Sequence, residues 1–434
     1  MLSSDWRNEM RKPFVLALAV SVAASAGLPS FGASYDVRAY GAKGDGVAKD
    51  TTAIQKAIDA AHAAGGGTVE FGAGTYLSGT VFLKSNVDFH LGAGATLKGS
   101  PDKADYNAPD VCRQNTVWTN ESSFGAHLVM CIEQENVTVR GPGTIDGNSA
   151  TFLVDPTTGR GWNYDPTCFW RGAADIPWRP SQMLHFAECR NVRIQDLELK
   201  DSPYWNLFLW GCEHVAVRGL WIHNERDRFH THNGDGIDID RSRHVTVSDC
   251  RIRTADDCIT LRASGKDKLK NPGDCAYVTV CNCQLSTPCN AVRLGVGEGT
   301  VRDATFSNIV VHDARTAINF VSAWRGQQTD GVTFRNIRFS EWAVDCELLF
   351  HIWGGPLAPG VVRKATMSDL FFTGISGHVR KDCEIAGSSA ETPISRVRFK
   401  DIFVETVADC TNVRDFTVSG GTFRIRMKDR SEEK

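Results

Sequence analysis

The chain has 434 residues and a formal net charge of −3, and 42% of its residues are hydrophobic against 23% charged. This balance predicts a soluble folded protein and excludes the basic footprint of a nucleic-acid-binding protein. The length allows either two or three ordinary domains or one elongated repeat domain.

The N-terminus predicts an export signal. Met10-Arg11-Lys12 is a short basic start, residues 13–26 are apolar, and Ala24-Ser25-Ala26 fits a cleavage site. The apolar run is shorter than the ~18 residues of a spanning helix, although a retained anchor stays the alternative. We therefore predict that residues 1–33 are removed. The mature protein is then expected to be secreted or periplasmic, free of the membrane and monomeric.

A capping helix is predicted next. Asp50-Thr51-Thr52 can cap a helix whose Ile54, Ile58 and Ala61 lie on one face, and the glycines at 65–67 end it. Because the first and last strands of a stacked β structure leave unpaired edges, an end cover is needed. We predict that this helix covers the N-terminal end of the β structure that follows.

An internal repeat dominates the rest of the chain. Val192, Ile194, Leu197 and Leu199 are apolar at positions i, i+2, i+5 and i+7, which is strand alternation broken by one bend. A single copy cannot bury its apolar face, so neighbouring copies must stack into one core. The same template begins again at Val215, Val245, Val278, Ala304, Val332, Ala365 and Val397.

This repeat predicts an all-β fold, a single-stranded right-handed parallel β-helix in which each coil adds a rung of about 4.8 Å. A β-sandwich is the alternative, but its strands recur every 8–12 residues or so with hairpin signals between them. We predict one catalytic domain over residues 34–427 and a charged tail at 428–434. Long loops are predicted at about 101–180, apart from a rung near Val137 and Val139.

The 14 cysteines do not predict a dense disulfide framework. Several fall at one phase of the repeat, where they would be small buried apolar residues. Cys189, Cys212 and Cys275 share this phase with Ser242. A few disulfides stay open at this point, and no metal or other cofactor is predicted.

Acidic residues cluster on adjacent coils of the predicted helix. Aligning Gly236-Ile237 with Cys258-Ile259 places Asp235 beside Asp257, with Asp256 one residue earlier. Carboxylates this close repel one another, so at least one should keep its proton. A protonated acid beside ionised neighbours is the arrangement of general acid and base catalysis, and paired carboxylates hydrolyse glycosidic bonds. Solvated turn aspartates or a calcium site are the alternatives.

The sequence resembles glycoside hydrolase family 28, the polygalacturonase-like enzymes, from Tyr35 to roughly Val404. Five motifs carry the likeness: residues 40–46, Arg179-Pro180, Ser202-Pro203-Tyr204-Trp205, Asn233-Gly234-Asp235 and Ala255-Asp256-Asp257. The resemblance implies a right-handed β-helix that hydrolyses pectic chains with inversion and without metal. It also implies that Asp256 is the acid and that Asp235 and Asp257 hold the attacking water, in agreement with the alignment of coils.

Two departures from the family pattern bear on the substrate. The family histidine falls on Asn290, and the family Arg-x-Lys, which grips a galacturonate carboxylate, falls near Ala317-Ile318-Asn319. Arg293 and Arg315 are candidate replacements with bidentate contacts, or else ordinary surface residues. The other predicted substrate-binding residues are Asn233, Asp238, His232, Asn290 and Arg262.

We therefore predict an exported glycoside hydrolase that acts on a pectic polysaccharide or oligosaccharide, of galacturonan or rhamnogalacturonan type. A uronate lyase or epimerase of the same fold, and a non-catalytic carbohydrate-binding β-helix, are the alternatives. Six tryptophans are further candidates for the sugar cleft, and two or three of them are expected to serve as platforms: Trp162, Trp170, Trp178, Trp205, Trp210 and Trp324.

Overall fold

The computed structural model describes residues 32–117, 123–153, 178–224, 233–322, 331–354 and 365–428. These residues form a right-handed parallel β-helix, as the repeat predicted. Each strand pairs in parallel with a strand of the coil before it and a strand of the coil after it. Three faces of stacked strands result, and they join where long strands bend around a corner.

The first face, here called the cleft sheet, carries the acidic motifs. Its shorter strands are β5 (Val81–Phe82), β8 (Val129–Ile132), β11 (Leu184–Ala187), β14 (Leu207–Trp210), β17 (Ile237–Asp240), β20 (Ile259–Ala263), β22 (Asn290–Gly297), β26 (Cys383–Ala386), β28 (Val407–Thr411) and β30 (Arg424–Met427). The C-terminal parts of β23 (Thr300–Val321) and β24 (Thr333–Trp353) continue it between β22 and β26.

The other two faces close the coil. The second contains β1 (Ser34–Asp36), β3 (Gly67–Phe71), β6 (Val87–Leu91), β9 (Glu135–Arg140), β12 (Arg190–Gln195), β15 (Glu213–Arg218), β18 (Arg243–Ser248), β21 (Cys275–Ser286), β25 (Met367–Val379), β27 (Ile394–Phe403) and β29 (Val413–Gly421). The third contains β2 (Asp45–Lys49), β4 (Gly74–Ser78), β7 (Ala95–Gly99), β10 (Thr144–Asp146), β13 (Glu198–Lys200), β16 (Trp221–His223) and β19 (Arg251–Arg253).

The apolar template sets the register that was predicted. Val192 pairs with Val215, Val215 with Val245, and Val245 with Val278. These side chains point into the coil and are buried, because alternate residues of a strand face the same side. Residues at equivalent positions of successive coils stack on one another along the axis. The rings of Phe306, Phe339, Phe372 and Phe399 form such a stack, with neighbouring centroids 4.9–5.1 Å apart.

The corners between faces are made by residues in the left-handed region. Asn191, His214, His244 and Tyr277 occupy one corner on consecutive coils, with φ between 55° and 58°. Asparagine tolerates this region better than most residues, whereas a tyrosine there is held by its surroundings. The corner therefore recurs at a fixed place in each coil, and this keeps the strands on either side in phase.

The capping helix α1 (Thr51–Ala63) lies where it was predicted. It buries Ile54, Ile58 and Ala61 against the first coil. The predicted N-cap is wrong in one respect: the side chain of Asp50 makes no cap hydrogen bond. Its carboxylate instead accepts the backbone N–H groups of Lys43 and Gly44, at 2.7 and 2.9 Å, and so ties the preceding turn to the helix.

The segment predicted as long loops at about 101–180 is not continuous loop. It contains β8, β9 and β10, which pair with β11, β12 and β13 and so form a full coil, together with the short helix α2 (Ala150–Leu153). The sequence signal was weak here because only Val137 and Val139 matched the template. Short 3₁₀ turns occur at Val37–Tyr40, Lys103–Asp105 and Lys266–Lys268.

The cysteines of the described residues are free thiols, most of them buried. Cys189, Cys212, Ser242 and Cys275 occupy equivalent positions on consecutive coils, as predicted. Burial raises the pKa of the Cys189 and Cys212 thiols well above their usual value, so these groups stay neutral and pack as small apolar side chains. Among the residues that the structure describes, no helix has the length and apolar character of a membrane span. Both the predicted signal, residues 1–33, and the charged tail, 428–434, lie almost wholly outside the described residues.

Candidate active site

The cleft sheet brings the predicted carboxylates together. Ile237 pairs with Ile259 and Ile259 with Val292, so Asp235, Asp257 and Asn290 stand on three consecutive rungs. Asp235 and Asp257 lie two residues before their strands, and Asn290 is the first residue of β22. The backbone N–H of Gly236 donates to the carbonyl of Asp257 at 2.8 Å, which fixes the first two rungs directly. Asp256 adjoins both, since its Oδ1 accepts the backbone N–H of Asp257 at 3.0 Å.

The turn that carries Asn233 and Asp235 is anchored from below. Arg179, fully buried, donates from Nη2 to Oδ1 of Asn233 at 3.1 Å and from Nη1 to the carbonyl of Pro203 at 2.9 Å. Asn206 donates from Nδ2 to the backbone carbonyl of Asp235 at 2.9 Å. Asn233 was predicted to bind substrate, and the structure shows that its side-chain oxygen serves to position the turn.

Arg293 lies among the carboxylates. It pairs with Thr260 in the sheet, and its guanidinium forms an ion pair through Nε with Asp257 and lies 3.6 Å through Nη2 from Oδ2 of Asp235. All three side chains are almost completely buried. Arg293 was predicted to grip a substrate carboxylate, but two protein carboxylates already face its guanidinium. The structure therefore makes Arg293 the counter-ion of the site.

Burial raises the pKa of the acids. The Asp256 pKa rises to about 7, first because the carboxyl is buried and next because Asp257 carries a like charge beside it. The pKa of Asp235 is raised well above its usual value by burial and by the charges of Asp238, Asp256 and Asp257. At neutral pH, at least one of the three carboxyls beside the single guanidinium therefore keeps its proton.

Asp256 has one neighbour, Cys289, to which the sequence interpretation gave no role, and a second, Arg315, that was predicted to bind substrate. The thiol of Cys289 makes a side-chain hydrogen bond to Asp256, which opposes the rise of the Asp256 pKa. Arg315 donates from Nη2 to Sγ of Cys289 and to Oδ1 of Asn290, both at 3.3 Å. Arg315 thus reaches the acid through Cys289. The signal was present in the alignment of coils, which sets Cys289 and Arg315 on the rungs after Asp256.

A row of polar side chains leads away from Asp257 along the helix axis. Asn290 donates from Nδ2 to Oδ1 of Asp257 at 2.5 Å and accepts at Oδ1 from Asn319 at 3.0 Å. Asn319 in turn lies 3.3 Å from Nδ1 of His351, and Nε2 of His351 lies 3.9 Å from Glu384. Because Oδ1 of Asn290 accepts from Asn319, it is the Nδ2 group of Asn290 that faces Asp257. Neither Asn319 nor His351 was predicted as a site residue, although they continue the rungs of Arg293.

The prediction that Asp238 and Arg262 bind substrate directly is not supported by their placement. Asp238 and Asp240 are fully buried, and Asp238 accepts the hydroxyl of Thr260. Arg262 lies 3.5 Å from Asp238 and 3.8 Å from Asp240, with its guanidinium 4.5 Å from the ring centre of Trp205. These groups are packed beneath the surface of the cleft sheet, where they support the site. Periodicity alone cannot show this packing.

Two of the candidate tryptophan platforms are also placed inside the protein. Trp205 and Trp210 are buried and pack with Phe208 and Leu269. Trp178 is half-buried, with its ring 5.6 Å from that of Tyr106. His232, predicted to bind substrate, lies outside the described residues, as do Trp162, Trp170 and Trp324.

A cavity of about 590 Å³ opens beside the carboxylates on the C-terminal coils. Polar groups and apolar groups both line it: Asn290, Arg293, Arg315, Thr316, Asn319 and Glu384 with His351, and Val321, Leu348 and Trp353. Burial and the charge of Arg315 lower the pKa of His351, although Glu384 opposes the shift. His351 is therefore neutral at neutral pH, and Arg315 supplies a positive charge in the cavity.

The site offers little to a divalent cation. Oxygens of Asp256 and Asp257 and the sulfur of Cys289 come within 4.8 Å of one another. The guanidinium of Arg293 already neutralises Asp257 in this cluster, and the pKa of the thiol is raised well above its usual value by burial. A metal would need a thiolate or a freed carboxylate here, so the donor set does not fit one.

The sequence matches known proteins over most of its length. The family model "Glycosyl hydrolases family 28" matches residues 111–422, and a model for "Rhamnogalacturonase A/epimerase, pectate lyase-like" matches residues 34–169. A probable polygalacturonase of Arabidopsis thaliana is 26% identical in an alignment 323 residues long that covers 69% of this chain and 63% of the relative. An exo-poly-alpha-D-galacturonosidase of Dickeya chrysanthemi is 27% identical in an alignment 344 residues long that covers 69% of this chain and 54% of the relative.

Solved structures share the fold. An exopolygalacturonase from Thermotoga maritima aligns with a TM-score of 0.66 and 18% identity, over 93% of this chain and 93% of that one. The present chain spans between half and two thirds of the length of the curated relatives named above. The family match includes all three carboxylates, their counter-ion and the residues of the cavity. On this match, together with the β-helix, the chain belongs to glycosyl hydrolase family 28.

Proposed function

We propose that this protein is an inverting glycoside hydrolase that cleaves glycosidic bonds in pectic polysaccharides or oligosaccharides. The observation that carries the proposal is the cluster of Asp235, Asp256 and Asp257 around a single guanidinium. A protonated carboxyl can serve as general acid and a neighbouring carboxylate as general base, and the two together can catalyse hydrolysis. The family match and the names of the relatives support the pectic substrate.

Asp256 is the general acid. With a pKa of about 7, its carboxyl keeps a proton in neutral and mildly acidic solution. It is also the most exposed of the three acids, at 8% against 2% for Asp235 and 3% for Asp257. As the glycosidic C–O bond breaks, this proton passes to the leaving oxygen.

Asp257 is the general base, and Asp235 holds the attacking water beside it. Asp257 forms an ion pair with Arg293 and accepts a hydrogen bond from Asn290, so a positive charge and an N–H donor both face its carboxylate. The water gives one proton to Asp257 while its oxygen bonds to the anomeric carbon on the face opposite to the leaving oxygen. One water is consumed, and the configuration at that carbon inverts.

The substrate carries an acidic sugar near the scissile bond. Arg315 and the neutral His351 face the cavity where the family lysine is replaced by Asn319, so one guanidinium takes the place of the family's Arg-x-Lys. The apolar surfaces of Val321, Leu348 and Trp353 suit a less polar sugar face. We therefore favour rhamnogalacturonan or a substituted galacturonan over plain homogalacturonan.

The test is a panel of pectic oligosaccharides followed by anomer-resolved NMR. We expect hydrolysis with an inverted first-formed anomer, and loss of activity by about 10³-fold in Asp256→Asn with the fold unchanged. Retention of configuration contradicts the roles given to Asp235 and Asp257. An absorbance rise near the ultraviolet band of an unsaturated uronate indicates a lyase instead.

We also propose that the protein is exported and acts as a monomer. The proposal rests on the basic and apolar composition of residues 10–26. N-terminal sequencing of the protein recovered outside the cytoplasm tests it, with cleavage expected after Ala26 or Ala33. An uncleaved, cell-associated chain contradicts export, and light scattering decides the oligomeric state.

A further inference from the structure

Of the tryptophans within the described ranges, only Trp221 is exposed, at 46% of its surface. It lies on β16 in the third face of the coil, well apart from the cleft sheet. Its side chain points outward, because the next residue, Ile222, points into the core. A single exposed apolar residue needs no explanation by itself, so its surroundings decide whether it binds a ligand.

The indole of Trp221 is held in place from one side. The ring of His223 stacks on it, with centroids 4.4 Å apart and planes 29° apart. Nε2 of His223 lies 2.8 Å from Oε1 of Glu198, whose other oxygen accepts the hydroxyl of Thr144 at 2.5 Å. These contacts cross three consecutive coils and fix the orientation of the indole. A ring that is already fixed loses little conformational entropy when a ligand binds.

Two arginines stand beside the indole on the next coil. The strand pairing sets Arg251 beside Trp221 and Arg253 beside His223, so the four side chains form a two-by-two array on one surface. These four residues are here called the third-face platform. Both arginines are exposed, and within the described part of the chain neither forms a salt bridge or stacks on the indole. The indole and two positive charges are therefore available to a ligand.

Tyr277 shows the contrast. It is as exposed as Trp221, but the ring of His244 stacks on it at 4.8 Å and the guanidinium of Arg302 lies 4.9 Å from its ring centre. Arg302 also pairs with Asp274 and Asp303. The ring and the charge at that corner already contact each other, whereas those of the third-face platform do not.

The third-face platform belongs to the same two coils as the carboxylates. β16 comes before the turn of Asp235, and β19 ends three residues before Asp256. The third face and the cleft sheet are separate surfaces of the coil, so a sugar chain bound in the cleft leaves the platform unoccupied. A polymer long enough to reach both sites can bind them together, and each contact then raises the effective concentration of the polymer at the other.

Resting on the proposed function for the identity of the polymer, we infer that the third-face platform is a second carbohydrate site, which binds a segment of a polysaccharide rich in uronate sugars. The indole packs against the C–H face of one sugar ring, and Arg251 and Arg253 pair with uronate carboxylates. A neutral polysaccharide offers the ring contact without the ion pairs and binds less tightly. The platform holds the protein on its polymer while the cleft cleaves another segment.

Binding is measured by affinity electrophoresis through gels that contain polygalacturonate, with Asp256→Asn as the parent so that the polymer stays intact. We expect Trp221→Ala to raise the apparent Kd by roughly five- to tenfold. The double variant Arg251→Ala with Arg253→Ala should also raise it and make it less dependent on salt. Methyl-esterified polygalacturonate has the same backbone without the charges and should bind the parent less tightly. Equal binding of the two polymers overturns the assignment of a uronate ligand.

Tyr277→Ala and Arg218→Ala are the matched controls. Tyr277 is as exposed as Trp221, and Arg218 is an exposed arginine that already pairs with Asp249. Both controls should bind as the parent does, with the fold of every variant checked by circular dichroism. A parent that the polymer does not retard, full binding by Trp221→Ala, or an equal loss in the controls each overturn the inference. A wild-type dimer that Trp221→Ala dissociates, seen by sedimentation, assigns the surface to a second copy of the chain instead.

Failure of the proposed function has a different outcome. Hydrolysis of pectic oligosaccharides by the wild type, combined with unchanged polymer binding in Trp221→Ala, rejects the third-face platform and leaves the hydrolase standing. Polymer binding that depends on Trp221, in a protein that cleaves no pectic substrate, leaves the platform standing and rejects the hydrolase.

Discussion

Asn290 donates a 2.5 Å hydrogen bond from Nδ2 to Oδ1 of Asp257, the carboxylate proposed as the base. It stands at the position of the family histidine, yet it binds the base and not the acid. The amide is held in this orientation by Asn319, which donates to Oδ1 of Asn290 at 3.0 Å. A fixed neutral donor therefore faces Asp257, while a thiol and, through it, an arginine adjoin Asp256.

Removing this donor should slow the chemical step. A hydrogen bond to a charged group contributes about 1.5–3 kcal/mol, so Asn290→Ala is expected to lower kcat by roughly 10- to 100-fold. The change in kcat is measured by steady-state kinetics on the pectic oligosaccharide that the panel shows to be cleaved. Asn308→Ala, an exposed asparagine on another corner, serves as the control. Full activity in Asn290→Ala contradicts the assignment of Asp257 as the base.

Removing the counter-ion should destabilise the fold at neutral pH. In Arg293→Met, Asp235 and Asp257 are buried without a positive partner, and the free energy of unfolding is expected to fall by about 3–5 kcal/mol. The loss should shrink in acidic solution, because Asp235, whose pKa burial raises well above its usual value, is then protonated and needs no counter-ion. Urea unfolding at several pH values tests this.

The control for that experiment is Arg396→Met, which breaks the exposed pair of Arg396 with Asp369 and should change stability little. An equal loss for Arg293→Met at acidic and neutral pH speaks against a charge effect, and would indicate lost packing instead.

The acid itself should reduce stability at neutral and alkaline pH. Because the Asp256 pKa rises from 3.8 to about 7 on folding, the folded protein favours the protonated form. The stabilising contribution is complete below pH 3.8 and is lost as the pH rises to about 7. We expect Asp256→Asn to be more stable than wild type by up to about 4 kcal/mol at pH 8, and unchanged near pH 3.8.

Thermal and urea unfolding of Asp256→Asn across pH 4–8, beside the exposed control Asp267→Asn, measure this difference. A variant less stable than wild type at pH 8 would show that the carboxylate is well accommodated, and would remove the support for its role as a proton donor.

Activity should fall on the alkaline side as the acid loses its proton. We expect kcat/KM to decline above about pH 7, tenfold for each further pH unit. Since the Cys289 thiol opposes the rise of the Asp256 pKa, Cys289→Ala should move this decline to higher pH. Cys281→Ala, a half-buried thiol on a different face of the same coil, is the control. A pH profile that Cys289→Ala leaves in place contradicts the contact of thiol and acid.

The fold and the central carboxylates could be predicted because they follow from a local pattern repeated many times. Each copy of the apolar template repeats the register of Val192 and Val215, so an error in aligning one coil does not carry over to the next. Aligning Gly236 with Cys258 then placed Asp235 beside Asp257 without any knowledge of side-chain directions. The coil at 129–146 was predicted only in part, as a rung near Val137 and Val139, because only one of its three strands carries the template.

The environment of the carboxylates could not be predicted in the same way. Arg293 was aligned correctly with Thr260, but its contact with Asp257 depends on where a long side chain points. The burial of Asp238 and Trp210 depends on Leu269 and on segments far away in the sequence. Periodicity shows which face of the sheet a residue occupies and gives no information on what covers that face.

The left-handed corners divide the molecule into a regular frame of strands and the segments that lie outside it. Strand residues such as Asp238 and Thr260 keep their register because the corners fix the length of the coil between them. Chain added outside the corners, as in the segments at 113–116 and 265–271, leaves the rungs undisturbed. Such segments can lengthen or shorten without a change in the register of the strands that follow Asp235 and Asp257.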